Sequence, residues 1–275
     1  MIRMREAFRK VFFILIISFF VVVLTFPFVW MAMTSFKPTH DIISPELKVL
    51  FAPTLEHYLY IFTRQPFLNF ALNSIIVAVT VTLVTILCGT LAAYSISRFD
   101  FGGKPFRSWI IFTRMLPPPV ILIPLFVIFR TLGLLNTLTA LVMADITFLL
   151  SFIIWIMRSF FDEIPYELEE AGLIDGCSRY QILTYITIPL ASPGIVSASI
   201  LTFIFAWNEY LFAMVFAPAT RVKTLPVAAA DFITGYATNW GPVFAASTMI
   251  VLPAFLVVVF LQKYIIRGLT LGAFK

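Results

Sequence analysis

Six apolar runs, near residues 11–33, 70–97, 109–129, 138–157, 194–216 and 243–262, constrain this chain more than any other feature. A helix rises about 1.5 Å per residue and the hydrocarbon core of a bilayer is about 30 Å thick, so runs of roughly twenty residues cross it. The remaining residues offer little alternative. The chain is 61% hydrophobic and 12% charged, with 31 Phe and a mean hydropathy of +1.00. Soluble domains carry about 25% charged residues, and half that value leaves too little polar surface to wrap a water-soluble globule. No hydrophilic block is long enough for a second domain. The expectation is an all-α, polytopic membrane helical bundle of about six transmembrane helices, forming one domain over residues 1–275.

The first run follows Arg3, Arg5, Arg9 and Lys10, as in a signal peptide. It is longer than the usual apolar core of about 7–15 residues and has no clear small-x-small cleavage site, so a retained first helix is expected. Basic residues lie at the edges of the apolar runs rather than in one patch, so the net charge of +5 points to membrane lipid and not to nucleic acid. Six spans place both termini on one side. That side carries twelve Lys and Arg, the other six, with Arg114 inside a span. The bias orients both termini to the cytoplasm of a multi-pass inner or plasma membrane protein.

Pro117, Pro118, Pro119 and Pro124 interrupt the third run. Consecutive prolines remove backbone donors, and broken backbone at membrane depth is tolerated only where protein or water covers it. This span is therefore expected to face the bundle interior or a cavity. Phe232, Tyr236 and Trp240 recur every four residues, as an interfacial helix or as a plain aromatic belt. Cys88 lies in an apolar run and Cys177 in a polar loop, so they make no natural disulfide. His40 and His57 stand apart, and no metal site is expected.

The segment 158–190 is long and acidic for a connection between spans, carrying Asp162, Glu163, Glu167, Glu169, Glu170 and Asp175. Pro165 opens a short helix over 166–174 whose acidic first turn suits the helix dipole, and Gly176 stops it. A second helix is expected over 179–188, ended by Pro189. Ala171 and Gly172 beside carboxylates let another backbone approach closely, as a docking knob for a soluble protein would.

Glu170-Ala171-Gly172, Asp175-Gly176, Ile188-Pro189 and Pro193 resemble the "EAA" loop of inner-membrane permease subunits of binding-protein-dependent ABC importers. The family pattern is E-A-A-x-x-x-G followed by I-x-L-P. Here Gly172 takes the third position, and Ile188-Pro189 lacks the intervening residues. Thr34-Ser35-Phe36-Lys37, Asn73-Ser74, Leu91-Ala92-Ala93-Tyr94, Arg98-Phe99, Gly133-Leu134-Leu135-Asn136-Thr137, Trp207-Asn208-Glu209 and Trp240-Gly241 extend the likeness to the sugar-type branch. These segments are similar to the second permease of maltose-like systems.

The resemblance implies the ABC type I importer permease fold, with 158–190 as its coupling loop. It implies that Glu167, Glu169, Glu170, Ala171, Gly172, Asp175 and Gly176 couple this chain to an ATPase. It further implies two ATPase subunits, a homologous second permease, an extracytoplasmic solute-binding protein, and a carbohydrate cargo of the di- or oligosaccharide class. The chain itself has no catalytic residues or cofactor on this reading. ATP and Mg belong to the partner ATPase subunits, in keeping with the lack of a G-x-x-x-x-G-K-[ST] motif.

Charged residues inside spans are costly and mark function by default. Straight-helix counting puts Arg114 roughly 8 Å from one end of its span, and Asp145 and Glu209 roughly 11 Å from the other. On that count Arg114 snorkels to headgroups and does not meet Asp145. Asp145, Trp207, Asn208, Glu209 and Tyr210 form the candidate substrate path, with interhelical packing as the alternative role. Two other functions remain open from the residues alone. An ion-coupled secondary transporter would use Asp145 and Glu209 as ion sites but leaves the acidic loop unexplained. A membrane enzyme would need a catalytic constellation, which no cluster supplies.

Overall fold

The computed structural model describes residues 2–233 and 238–271, with side chains placed for 9–233 and 238–262. The described residues form α1 (Ile2–Thr34), α2 (Thr39–Ile42), α3 (Glu56–Arg64), α4 (Phe67–Phe99), α5 (Gly103–Met115), α6 (Pro118–Thr131) and α7 (Leu138–Glu163). There follow α8 (Tyr166–Ile174), α9 (Arg179–Ile182), α10 (Ile188–Trp207), α11 (Leu211–Phe216), α12 (Leu225–Ala230) and α13 (Trp240–Leu271). Five helical segments are long and apolar enough to cross a membrane, and the bent pair α5 and α6 makes a sixth. Two compact units result, one of Met1–Phe67 with Ala229–Val251 and one of Leu68–Ala228 with Leu252–Lys275.

In the second unit the pattern on α4 is that of a helix in lipid. Asn73, Ser74, Val77, Ala78, Val81, Thr85, Thr90 and Ala93 are buried, while Leu72, Ile76, Leu83 and Leu87 are exposed. Hydrocarbon is as apolar as Leu, so helices associate through small and polar residues that allow close approach. Gly89 shows the closeness: a Cβ there would lie 2.7 Å from Ile153 Cγ2 of α7. Below it, Tyr94, Met157, Phe161 and Ala198 close one apolar core shared by α4, α7 and α10.

The proline run breaks the third span as its chemistry requires. Leu116 and Pro117 are extended, because the residue before a proline is pushed out of the α region. Pro118 and Pro119 then open α6, where missing N–H groups cost nothing. The two halves bend by 96°.

Pro189 does not end the loop's second helix as expected. Leu183–Thr187 form a π-helical turn in which the Ile188 N–H reaches the Leu183 carbonyl. The wide turn absorbs the ring and the absent donor of Pro189, so helix continues. The fifth span consequently occupies Arg179–Trp207 rather than 194–216, and the chain leaves it at Asn208.

Turns are tied by the residues of the short motifs. Asn136, at φ +58°, donates its N–H to the Phe216 carbonyl at 2.7 Å, and its side-chain oxygen accepts from Ala219 at 3.1 Å. Thr137 caps α7 by accepting from Ala140. Asn73 donates to the carbonyls of Arg221 and Lys223, and Ser74 accepts from the Leu225 N–H.

In the first unit α1 is apolar and exposed along its length up to Val29. Beyond it the chain folds back through α2 and α3. His57 is buried and bonds the Lys37 carbonyl at 2.8 Å, and its ring fills the space beside Gly241 that any side chain would need. Ser35 and Tyr58 share a hydroxyl bond of 2.8 Å. Phe232 is buried in a turn after α12, and Ile233 pairs with Thr238 in an isolated antiparallel bridge. The flanks of the aromatic stripe are thus not helical, and Tyr236 lies outside the described residues.

Candidate functional site

Two features of the second unit gather the singled-out residues. One is a cavity of about 480 Å³ lined by Arg114, Asp145, Asn208, Glu209 and Tyr210, with Pro118, Phe148, Phe152 and Phe205 as apolar walls. The other is the helix α8.

The cavity exists because two spans are broken beside it. α5 stops at Met115, and the helix ending at Trp207 gives way to three residues before α11 begins. Glu209 explains the second break. Its carboxylate accepts from the Phe212 N–H at 2.7 Å and the Ala213 N–H at 2.9 Å, satisfying the orphan donors at the start of α11. The capping role was not legible in the sequence, where Glu209 stands among apolar neighbours with no turn signal. Asp145 is buried on α7 and reaches the same cavity. Asn208 donates to the Ile204 carbonyl at 2.8 Å and closes the end of α10.

Arg114 departs from its sequence expectation. Its guanidinium stacks over Phe152 at 4.0 Å, with Trp155 at 5.6 Å, and lines the cavity with Asp145. Counting residues along a straight helix fails here because the span turns by 96° just after Arg114. Trp207 is also placed differently from its neighbours in the motif. It is buried and stacked on Phe203, away from the cavity lining. The wall residues Phe148, Phe152 and Phe205 were missed, since one aromatic in a Phe-rich span looks like any other.

On α8 the acidic residues divide between two environments. Glu167, Glu170, Ala171, Asp175 and Gly176 are exposed, as is Ile174 at 86%. Glu169 and Gly172 are buried. Glu169 accepts from Arg98 Nε at 2.7 Å, from the Thr187 hydroxyl at 3.0 Å and from the Tyr94 hydroxyl at 3.1 Å. Arg98 completes the link by donating to the Ile164 carbonyl at 2.9 Å. One fully buried carboxylate thereby joins α4, α8 and the π-helical turn. Such a pair is held by its hydrogen bonds as much as by charge, and losing one partner strands the other. Gly172 sets the spacing: a Cβ there would meet the tip of Ile186 at 2.9 Å. Beyond it, Gly176 at φ +83° turns the chain, and Ser178 with Gln181 forms a capping box that starts α9.

Residues 85–271, which include both the cavity and α8, match the family described as "Binding-protein-dependent transport system inner membrane component". The chain belongs to this family. The permease is 36% identical over 275 residues to the trehalose/maltose transport system permease protein MalG of Thermococcus litoralis, covering 98% of each chain. It is 35% identical to the diacetylchitobiose uptake system permease protein DasC of Streptomyces coelicolor, covering 92% of each. Its fold is that of an ABC importer permease. A chain of a bacterial ABC transporter involved in import of the acidic polysaccharide alginate superposes with a TM-score of 0.78 at 23% identity, over 94% of this chain and 97% of that one.

Proposed function

We propose that this permease is a single transmembrane domain of an ATP-driven importer that moves a carbohydrate of the di- or oligosaccharide class. A homologous second permease completes the path, two ATPase subunits bind ATP and Mg, and a solute-binding protein delivers the sugar from outside. The termini and α8 face the cytoplasm, as the Lys/Arg bias favours. The chain performs no chemistry of its own.

The observation that carries this reading is the division of α8. Its outward face presents Glu167, Glu170, Ala171 and Asp175, while Glu169 on the inward face is bonded to α4 and the π-helical turn. A partner that grips the exposed face moves a helix that cannot slip against the spans. Closure of the ATPase subunits is thereby passed to α4 and to the helix that ends at Trp207. Beside that end, Asp145, Asn208, Glu209 and Tyr210 with the aromatic walls offer hydroxyl-binding groups and ring faces, as a sugar path requires. The names of the relatives support the sugar class.

The test is sugar uptake in the native host by Glu170→Lys, with membrane insertion checked by cell fractionation. Uptake is expected to vanish while the protein remains in the membrane. Wild-type uptake refutes the coupling role. Co-purification in mild detergent is expected to recover a second permease and an ATPase; recovery of a homo-oligomer driven by an ion gradient overturns the importer reading.

A further inference from the structure

A second cavity, of about 360 Å³, lies in the first unit and takes no part in the path above. Its walls come from the ends of two spans and the loop between α1 and α3. Trp30 and Thr34 belong to the last turns of α1, and Trp240 and Phe244 to the first turn of α13. Tryptophans at the ends of membrane-spanning helices mark the depth of lipid headgroups.

The polar groups of this cavity are incompletely partnered. Lys37 is only 3% exposed, and its ammonium sits over Trp30 at 4.2 Å and Phe51 at 5.3 Å, with no hydrogen bond or ion pair. The buried Thr34 hydroxyl has no hydrogen-bond partner either. Buried charges and hydroxyls are normally bonded, so two donors in one cavity call for an acceptor. At the rim Asp41 and Lys48 satisfy each other at 2.7 Å, with His40 beside Asp41 at 3.3 Å. Glu46 is left with no ion pair. The cavity therefore holds one unmatched cation and one unmatched anion. Along α1, just below it, every residue from Val11 to Val29 is exposed, and none of the apolar span is buried.

We propose that this cavity binds the headgroup of a zwitterionic membrane phospholipid, its phosphate on Lys37 and Thr34 and its ammonium towards Glu46 and the face of Trp240. A cation over an aromatic face adds to the second contact. The acyl chains lie along α1. A neutral sugar leaves Lys37 without a counter-charge. A carboxylate from a partner protein leaves Glu46 unmatched and makes no use of the exposed hydrocarbon face. The proposal needs only that α1 and α13 cross the membrane.

The experiment is native mass spectrometry of the full chain, purified in detergent, stripped of lipid and titrated with dioleoylphosphatidylethanolamine. Lys37→Met is expected to weaken binding about tenfold, the effect of losing a charge-assisted hydrogen bond, and Thr34→Val less. Lys104→Met, at an exposed site in the other unit, is expected to bind as the unaltered chain does. Equal binding by K37M and T34V overturns the site. Equal binding of a phosphate-free glycolipid shows that hydrocarbon alone is recognised, and overturns it too. Binding of soluble glycerophosphoethanolamine as tight as that of the lipid refutes the membrane source. If K37M fails to fold, T34V, which changes only a hydroxyl for a methyl, decides the matter.

Discussion

Replacing Arg98 by Met tests whether α8 is locked to the spans. Glu169 is fully buried and has three side-chain donors, of which only Arg98 carries charge. Met keeps much of the apolar stem, so the change removes mainly the guanidinium. Two neutral hydroxyls, from Tyr94 and Thr187, then remain for a carboxylate with no access to water. Stranding one member of a buried pair costs about 3–5 kcal/mol. Glu169→Met is expected to cost less, because the freed guanidinium still has the Ile164 carbonyl at 2.9 Å. The double variant removes both charges and is expected to recover most of the loss, giving a coupling energy of about 2–3 kcal/mol in the mutant cycle. The assay is thermal unfolding in detergent, with limited proteolysis across residues 163–179 to locate the loosening. A coupling energy below about 0.5 kcal/mol refutes the reasoning, since independent sites add to within that margin.

Gly89→Val is expected to lower stability by about 1–3 kcal/mol, as overpacking does, because the new side chain enters the space of Ile153; an unchanged unfolding midpoint contradicts the close packing of α4 on α7. Glu209→Ala removes the acceptor for two N–H groups of α11 and is expected to cost about 0.5–2 kcal/mol, while Glu209→Gln keeps one acceptor and costs less. Uptake is expected to follow the same order, and equal uptake by the two variants contradicts the capping role. The loop after α1 is expected to loosen in acid. The Lys48 hydrogen bond holds Asp41 below its ordinary 3.8, and the Thr39 N–H holds Glu56 below its ordinary 4.5. Both carboxylates add stability that is complete above those ordinary values and is lost as pH falls through the lower folded ones. Hydrogen exchange across residues 38–56, corrected for the intrinsic rate, is expected to speed up below about pH 4; constant protection down to pH 2 contradicts it.

The spans were legible because length and apolarity suffice to define them, and α8 because proline, acidic first turn and glycine all act locally. What escaped the sequence depends on partners distant along the chain. Pro189 carries the same local signal as Pro165, yet one lies in a helix and the other before one. The difference is a π-helical turn that depends on Thr187 meeting Glu169. Arg114 was misplaced for a related reason, since the depth of a residue follows from its distance along a helix only when the helix is straight. Of the substrate-path residues, Asp145, Asn208, Glu209 and Tyr210 come together, but Trp207 turns to Phe203, because neighbours on a helix point about 100° apart.

The same angular step separates Glu169 from Glu170. Identical side chains one residue apart meet opposite surroundings, one sealed against Arg98 and the other in solvent. A helix with only exposed carboxylates would dock and then slide, since surface ion pairs contribute about 0–1 kcal/mol and exchange readily with water. A helix with only buried ones would transmit nothing from outside. On the proposed reading, force applied at Glu170 reaches Glu169 through rigid helix and divides there, into α4 through Arg98 and into the π-helical turn through Thr187. That turn is the weakest point of the 29-residue helix from Arg179 to Trp207, at whose far end Glu209 holds α11. A variant that straightens the turn, such as deletion of Tyr185, is expected to leave α8 docked while uncoupling it from the cavity. The expected signature is ATP hydrolysis by the reconstituted complex without uptake. Loss of hydrolysis and uptake together would place the break at docking instead.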